Sequence, residues 1–328
     1  MERLGDILKN SELLTRAREQ KPPPAPSPPA LTLSQKKLIE AATAIRLDPD
    51  AVERAYMARQ LVQCTLPHRN PGKVEAWERR NGNLALVIQP GWDSEKKRPV
   101  GYPYGTIPRL LLFWITTEAV KTKNRRLELG HNLSEFMREL GLDPGRGGKR
   151  SDAKRLRDQM ERLFSCRISF DERVTMANGA EGKRWLHMEV APDGELWWHP
   201  RHPEQGALWG SWIELGEKFF QAILAAPVPA DMRALRALKR SALALDLYVW
   251  LAYRVFLVNR CGEPLAVAWE SLAQQMGCDF EDVRNFRKKA LVAIKKIEAV
   301  YPGLNLSTKP RGRLVLRPSR LAIAPVAS

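Results

Sequence analysis

The 328-residue chain has few cysteines and no closely spaced pair of them. Cys64, Cys166, Cys261 and Cys278 stand far apart without a CxxC motif, so neither a structural zinc site nor a dithiol redox motif is indicated. Buried, reduced thiols are expected. An unbroken apolar run of about 18 residues, the length of a membrane span, is also missing. The richest stretch, around Ser241–Val258, is interrupted by Asp246 and Arg254. The first nine residues mix acidic and basic side chains and hold no apolar segment of signal length. These absences lead us to expect a cytoplasmic protein with no membrane partner.

Catalytic patterns are equally scarce. The segment GlyArgGlyGlyLysArgSer has neither the glycine spacing nor the preceding strand of a phosphate-binding loop. His199 and His202 flank ProArg with no tyrosine nearby, and read as part of a polar loop rather than a metal or nicking centre. No acidic cluster suggests a two-metal nuclease. Aromatic residues are spread through core patterns rather than gathered into a stacking platform for single strands. No enzyme, cofactor or metal is expected.

What the chain has in surplus is positive charge. Lys and Arg number 53 against 37 Asp and Glu, a formal net charge of +16. Such a surplus favours a polyanion, because Lys and Arg on phosphates release condensed counterions.

It also contains one motif twice. Leu110–Asp143 reads LLLFWITTEAVKTKNRRLELGHNLSEFMRELGLD, and Asp246–Asp279 reads DLYVWLAYRVFLVNRCGEPLAVAWESLAQQMGCD. At an offset of 136 positions Leu111 meets Leu247, Trp114 meets Trp250, Leu129 meets Leu265, Gly141 meets Gly277 and Asp143 meets Asp279. Apolar character matches at Phe113/Val249, Ile115/Leu251, Phe136/Leu272 and Leu140/Met276. Each copy is followed by a basic amphipathic helix and strand-like segments. Helix, short strand, short helix, Gly turn, basic helix and hairpin is the order of a winged helix. We therefore expect an α+β chain of two tandem winged-helix domains, helix-rich with small antiparallel β wings, gripping double-stranded DNA at two places.

Residues 1–30 are expected to be a disordered tail: Leu4, Ile7, Leu8 and Leu14 among charges, then the Pro-rich linker KPPPAPSPPA, Lys21–Ala30. The sharper alternative is a tethered peptide that binds another protein. The first domain is expected over 31–225. Its helical patterns cover Ser34–Ile45 and Asp48–Gln63, and Leu84–Trp92 reads as a strand. Pro108 suits the first turn of a helix, Asn132 and Ser134 are candidate caps, and Gly141 suits a left-handed helix end. Ala153, Leu156, Met160 and Leu163 define the buried face of a helix over Lys149–Ser165. Cys166–Phe170 and Arg184–Val190 read as a wing, followed by a strand and helix in WIELGEKFFQAIL. The second domain is expected over 226–328. Its long helix spans Phe280–Tyr301, with Val283, Phe286, Ala290, Ile294, Ile297 and Tyr301 in one arc. LNLSTKPRGRLVLRP reads as its wing.

A recognition helix needs donors on one face and apolar anchors on the other. Arg and Asn form paired hydrogen bonds to guanine and adenine edges. Arg284, Asn285, Arg287 and Lys288 sit at the helix start and are the expected base readers, with Lys289 a further expected DNA contact. Lys295 and Lys296 lie two turns on and suit phosphates, and Lys309, Arg311 and Arg313 belong to the second wing. In the first domain Lys149, Arg150, Lys154, Arg155 and Arg157 are expected to fix register through phosphates.

The stretch GYPYGTIPRLLLFWITTEAVKTKNRRLELGHNLSEFMRELGL, continued through GGKRSDAKRLRDQMERL, resembles the RepA family of plasmid replication initiators. The upstream LPHRNP with Trp77, the LALVIQPG strand, and PVPADMRALRAL followed by LALDLYVWLAYR fit the same family, over roughly residues 50–320. The resemblance implies binding of origin direct repeats (iterons), melting of adjacent DNA with the host initiator, and recruitment of the replicative helicase. It also implies that the second domain reads bases while the first contacts backbone and forms dimers, so that the chain is a partner to itself in a monomer–dimer equilibrium. The strand Leu84–Ile88 and the Trp197–Trp198 region are the expected apolar dimer surfaces. Initiators often repress their own promoter as well; a winged-helix transcriptional repressor without a replication role is the alternative.

Overall fold

The computed structural model describes residues 30–49, 51–130, 132–145, 148, 151–197, 210–280, 282–310 and 312–323. The tail reading of residues 1–29 lies outside them. The chain divides into a short unit, Met1–Lys36, and a body, Lys37–Ser328. In the short unit Thr32 and Gln35 exchange hydrogen bonds at the start of a helix, each side chain accepting from the other's backbone N–H. This is a capping box.

In chain order the elements open with α1 (Leu33–Leu47), β1 (Arg54–Ala58), α2 (Arg59–Gln63), β2 (Trp77–Asn81), β3 (Leu84–Gln89), β4 (Trp92–Asp93) and β5 (Arg98–Pro99). The first copy of the repeat follows as α3 (Ile107–Thr122), β6 (Arg126–Glu128) and α4 (Leu133–Glu139). Then come α5 (Asp152–Ser165), β7 (Arg167–Thr175), β8 (Glu181–Glu189), β9 (Asp193–Glu195), β10 (Trp212–Glu214), α6 (Glu217–Ala225), β11 (Pro227–Asp231) and α7 (Met232–Leu238). The second copy supplies α8 (Ala242–Cys261), β12 (Leu265–Ala268) and α9 (Trp269–Gln275), followed by α10 (Val283–Val300), β13 (Leu306–Ser307) and β14 (Arg313–Leu316). The protein is thus mixed α and β, helix-rich with small antiparallel sheets.

The repeat is physical as well as textual. Helices α4 and α9 stand 136 positions apart, residue for residue. The Trp114 indole donates to Glu139 at 2.9 Å, and the Trp250 indole donates to Gln275 at 3.0 Å. Both partners of each pair sit at the same offset, so one hydrogen bond ties the long helix to the short helix in both copies. Each contributes about 1 kcal/mol. The copies differ in depth: Trp250 is fully buried, whereas Trp114 is half-buried and packs edge-on against Phe136.

Local chemistry sets the helix ends. Asn132, Ser151, Ser241 and Asp282 each accept a backbone N–H at a helix start. Pro108 lies in the first turn of α3, where a missing N–H is tolerated. Gly141 ends α4 with φ +71°, a conformation that side chains resist. Its counterpart Gly277 serves a different need: a Cβ there would lie 1.5 Å from the Leu66 carbonyl oxygen.

Three expected features take another form. The helical pattern Asp48–Gln63 is only helical at its end. Arg54–Ala58 is a strand, because it pairs in antiparallel register with Pro227–Asp231, a partner too remote for local periodicity to reveal. Cys166–Phe170 and Arg184–Val190 do form a hairpin, but β7 is an inner strand of a four-stranded sheet ordered β2-β3-β7-β8. The strand after the first long helix, β6, pairs with β10 instead. In the second copy the corresponding strand, β12, pairs with the following hairpin through β14. Finally, Leu84–Ile88 is not exposed: Leu86 and Ile88 are fully buried between β2 and β7.

One continuous core runs through both copies of the repeat. Helix α8 has the length and mean hydropathy, 1.4, of a membrane span. Most of it is buried inside the body, where Leu247, Tyr248, Trp250 and Leu251 are core residues.

A polar clasp joins the copies. Arg109 of α3, 2% exposed, meets Asp246 of α8 with two hydrogen bonds, Nε–Oδ1 at 2.7 Å and Nη2–Oδ2 at 2.6 Å. It also donates to the carbonyls of Leu66, Pro67 and Gly105. His68 Nε2 lies 2.7 Å from Oδ2, the oxygen that also accepts from Arg109 Nη2. Burial alone raises the Asp246 carboxyl, but Arg109 and His68 outweigh it and hold it at about 2. Burial depresses His68 below its usual 6.5, ahead of the opposing pull of Asp246. The segment carrying His68 is laced to the end of α9 by Thr65 N–H to Gln275 O at 3.0 Å and Gly277 N–H to Thr65 Oγ1 at 2.7 Å.

Candidate nucleic-acid interface

Helix α10 divides cleanly into two faces. Phe286, Ala290, Ala293, Ile294, Ile297 and Val300 are buried. They dock the helix against α8 and α9, with Phe286 edge-on to Trp269 at 6.4 Å. Arg284, Asn285, Arg287, Lys288, Lys289, Lys295 and Lys296 are all exposed. Asp282 caps the helix and also holds Arg284, Nε–Oδ2 at 3.0 Å, with the Arg284 side chain 92% exposed. Among the described residues the other five cations of this set have no ion pair. The helix begins three residues later than the expected Phe280 because Asp282 supplies the cap.

The hairpin β13–β14 follows. Lys309 and Arg313 are exposed at its turn, while Leu314 and Leu316 anchor it. Arg311 lies outside the described residues. The sequence reading missed Val292. It is 52% exposed and sits one turn from both Lys288 and Lys296, an apolar side chain on the basic face. Its exposure is invisible to a rule that assigns apolar residues to the core.

Helix α5 repeats the plan with different charge. Ala153, Leu156, Met160 and Leu163 are buried, and Lys154, Arg155 and Arg157 are exposed. Arg155 pairs with Asp152 at 3.1 Å, and Arg162 with Asp158 at 3.0 Å. Lys149 and Arg150 lie outside the described residues, as do His199, His202 and Trp198. Trp197 is 58% exposed. On the first hairpin Lys183 pairs with Asp171 and Arg184 with Glu172.

The expected buried thiols are found at Cys64, Cys166 and Cys278, each pushed up to about 12 by burial. Cys261, at the last turn of α8, is exposed instead.

Two exposed basic helices on a mixed α and β body, each backed by an apolar face, are the candidate nucleic-acid-facing elements. A family model described as plasmid-encoded RepA protein matches residues 102–271, just over half the chain. The chain belongs to that family. This membership supports a replication-initiator role. A comparison with curated proteins finds no match. Among solved structures, a selenomethionine crystal structure of domains 2 and 3 of RctB is 14% identical, covers 81% of this chain and 99% of its own, and has a TM-score of 0.48. A second RctB structure of domains 2–3 is 13% identical, with coverages of 78% and 93% and a TM-score of 0.45. At those scores the likeness bears on neither function nor site.

Proposed function

We propose that this protein is a plasmid replication initiator, not an enzyme, that binds repeated double-stranded origin DNA through two winged-helix modules, 31–225 and 226–328. The observation that carries the reading is the two-faced helix α10. Its apolar arc is fixed in the core, and its basic arc is exposed with five cations of the expected set unpaired among the described residues. Donors held rigidly on one helix face suit a major groove, and the adjacent hairpin with Lys309 and Arg313 suits the backbone or minor groove. Arg287 and Asn285 read base edges; Lys288, Lys295 and Lys296 meet phosphates or base edges along the groove. The first module contributes register through Lys154, Arg155 and Arg157. Its sheet also ends in the nine-residue edge strand β8, with Trp185 62% exposed, which supports self-association through the first module. Monomers then occupy direct repeats, in equilibrium with a dimer. Origin opening with a host initiator, helicase recruitment, repression of its own promoter and a cytoplasmic, plasmid-associated location complete the reading.

Footprinting of the purified chain on DNA flanking its own gene tests it. Protection of a direct-repeat array, lost when Lys288, Lys295 and Lys296 are replaced by Ala, is the expected result. Protection confined to a single inverted promoter site would favour a repressor instead.

A further inference from the structure

Helix α8 is a core helix for most of its length, yet its last turns carry an outward stripe. Ala252, Tyr253, Phe256, Leu257 and Arg260 lie at spacings of one, three and four residues, and Phe256 is 50% exposed. This stripe walls a cavity of about 430 Å³ together with Tyr56 of β1, Pro227–Pro229 of β11 and Leu321–Ile323. A volume in the range of about 300–1,000 Å³, walled by apolar side chains, is typical of a specific binding site.

Charge and backbone narrow the occupant. Arg54, Arg59 and Arg260 surround the cavity, and no carboxylate lines it. None of the three guanidiniums has a partner among the described residues. Elsewhere in the body Arg233 and Arg236 are paired, with Asp231 and Glu53. Three unpaired guanidiniums around an apolar cleft call for carboxylates flanking an apolar anchor. An added β-strand is disfavoured. Pro227 and Pro229 carry no N–H, and the Asp231 N–H is already taken by the Tyr248 hydroxyl at 3.2 Å. An incoming strand would meet no donor along that edge. The occupant must present side chains rather than backbone.

We infer that this cleft docks an acidic amphipathic helix of a partner protein, its aromatic or aliphatic residues at i and i+3 or i+4 entering beside Phe256 and its carboxylates meeting Arg54, Arg59 and Arg260. None of these residues belongs to α5, α10 or the second hairpin, so the proposal uses none of the residues assigned to the nucleic-acid face.

The test uses the full chain and a fluorescein-labelled synthetic peptide of about 16 residues, about 24 Å as a helix. The peptide carries Leu and Phe on one stripe and Glu on its flanks. Fluorescence anisotropy compares it with a scrambled peptide of identical composition and with one carrying Lys for Glu. The acidic amphipathic peptide is expected to bind at least about tenfold more tightly than either control, a difference of about 1.4 kcal/mol. Phe256→Ser should weaken it about tenfold, and Arg54→Gln with Arg260→Gln should weaken it and flatten its salt dependence. Thermal unfolding of all variants should match the parent, since these side chains are exposed. Equal binding of the scrambled peptide would overturn the proposal, as would full binding by Phe256→Ser. So would displacement of the peptide by duplex DNA, which would assign the arginines to DNA, or a Phe256→Ser variant that turns a dimer into a monomer, which would make a second copy the occupant.

Discussion

The two long basic helices hold the same place in a repeated plan and differ in what surrounds their charges. Helix α10 carries six basic residues and one acidic residue, Glu298; α5 carries four basic and three acidic. In α5 two of the arginines are matched by carboxylates on the same helix, three or four residues away. In α10 the single ion pair among the described residues is to the capping Asp282. The hairpins follow suit: Lys183 and Arg184 are paired across the first, while Lys309 and Arg313 have no ion pair among the described residues of the second. Neutralising partners on the same element lower the field a phosphate feels, so equal numbers of arginines do not make equal DNA contacts. The repeated residues are those that build the core; the surface charge around them has diverged.

The largest effect is expected where the copies are joined. Asp246→Ala leaves the Arg109 guanidinium buried and unpaired, a loss of about 3–5 kcal/mol. Because the clasp holds both copies, denaturant unfolding should shift as one transition. Two transitions, with only the second half affected, would break the picture of a shared core.

Charge removal sharpens the comparison directly. Lys288, Lys295 and Lys296→Ala together should flatten the dependence of log affinity on log salt by about two to three units, at about 0.9 per phosphate contact. Lys154, Arg155 and Arg157→Ala should flatten it by about one unit. Titrations on one repeat at several salt concentrations check both.

Single side chains follow. Arg287→Ala should lose about 1–3 kcal/mol on the specific repeat and less on random duplex. Arg284→Ala should lose less than Arg287→Ala, because Asp282 already holds its guanidinium. Equal losses on specific and random DNA for Arg287→Ala would assign it to phosphate.

The smallest effect concerns pH. His68 is depressed below 6.5 in the folded protein, so the unfolded chain binds a proton first as pH falls. Stability is therefore full above pH 6.5 and declines below it, by at most about 1.4 kcal/mol per pH unit. Asp246, held at about 2 against its usual 3.8, adds a further loss only below about pH 3.8. His68→Gln should remove the decline between pH 6.5 and 4. A melting temperature that falls in that window as it does for the parent would show that another group is responsible.

Much of this was legible in the sequence because it is local. Helix α10, its buried arc from Phe286 to Tyr301 and its exposed cations follow from a 3.6-residue period, and the caps at Asn132 and Gly141 follow from their types. The offset of 136 positions located α4 and α9 together. What stayed hidden is long-range. Arg54–Ala58 is a strand only because Pro227–Asp231 lies beside it. Leu84–Ile88 is an unbroken apolar strand, and the partners that enclose it, β2 and β7, are set by long-range pairing that local sequence does not show. The Arg109–Asp246 clasp joins residues whose separate neighbourhoods look like ordinary helix surface, and Val292 breaks the rule that places apolar residues inside.

The central claim is that the second long helix, not the first, dominates recognition of the repeat. One competition measurement tests it most directly: binding of the parent, the Asn285/Arg287→Ala variant and the Lys154/Arg155/Arg157→Ala variant to a single origin repeat at fixed salt against excess random duplex. The account predicts that the α10 variant loses discrimination between repeat and random DNA, while the α5 variant binds both more weakly and keeps the ratio between them. A preserved ratio in the α10 variant together with a collapsed ratio in the α5 variant would contradict it.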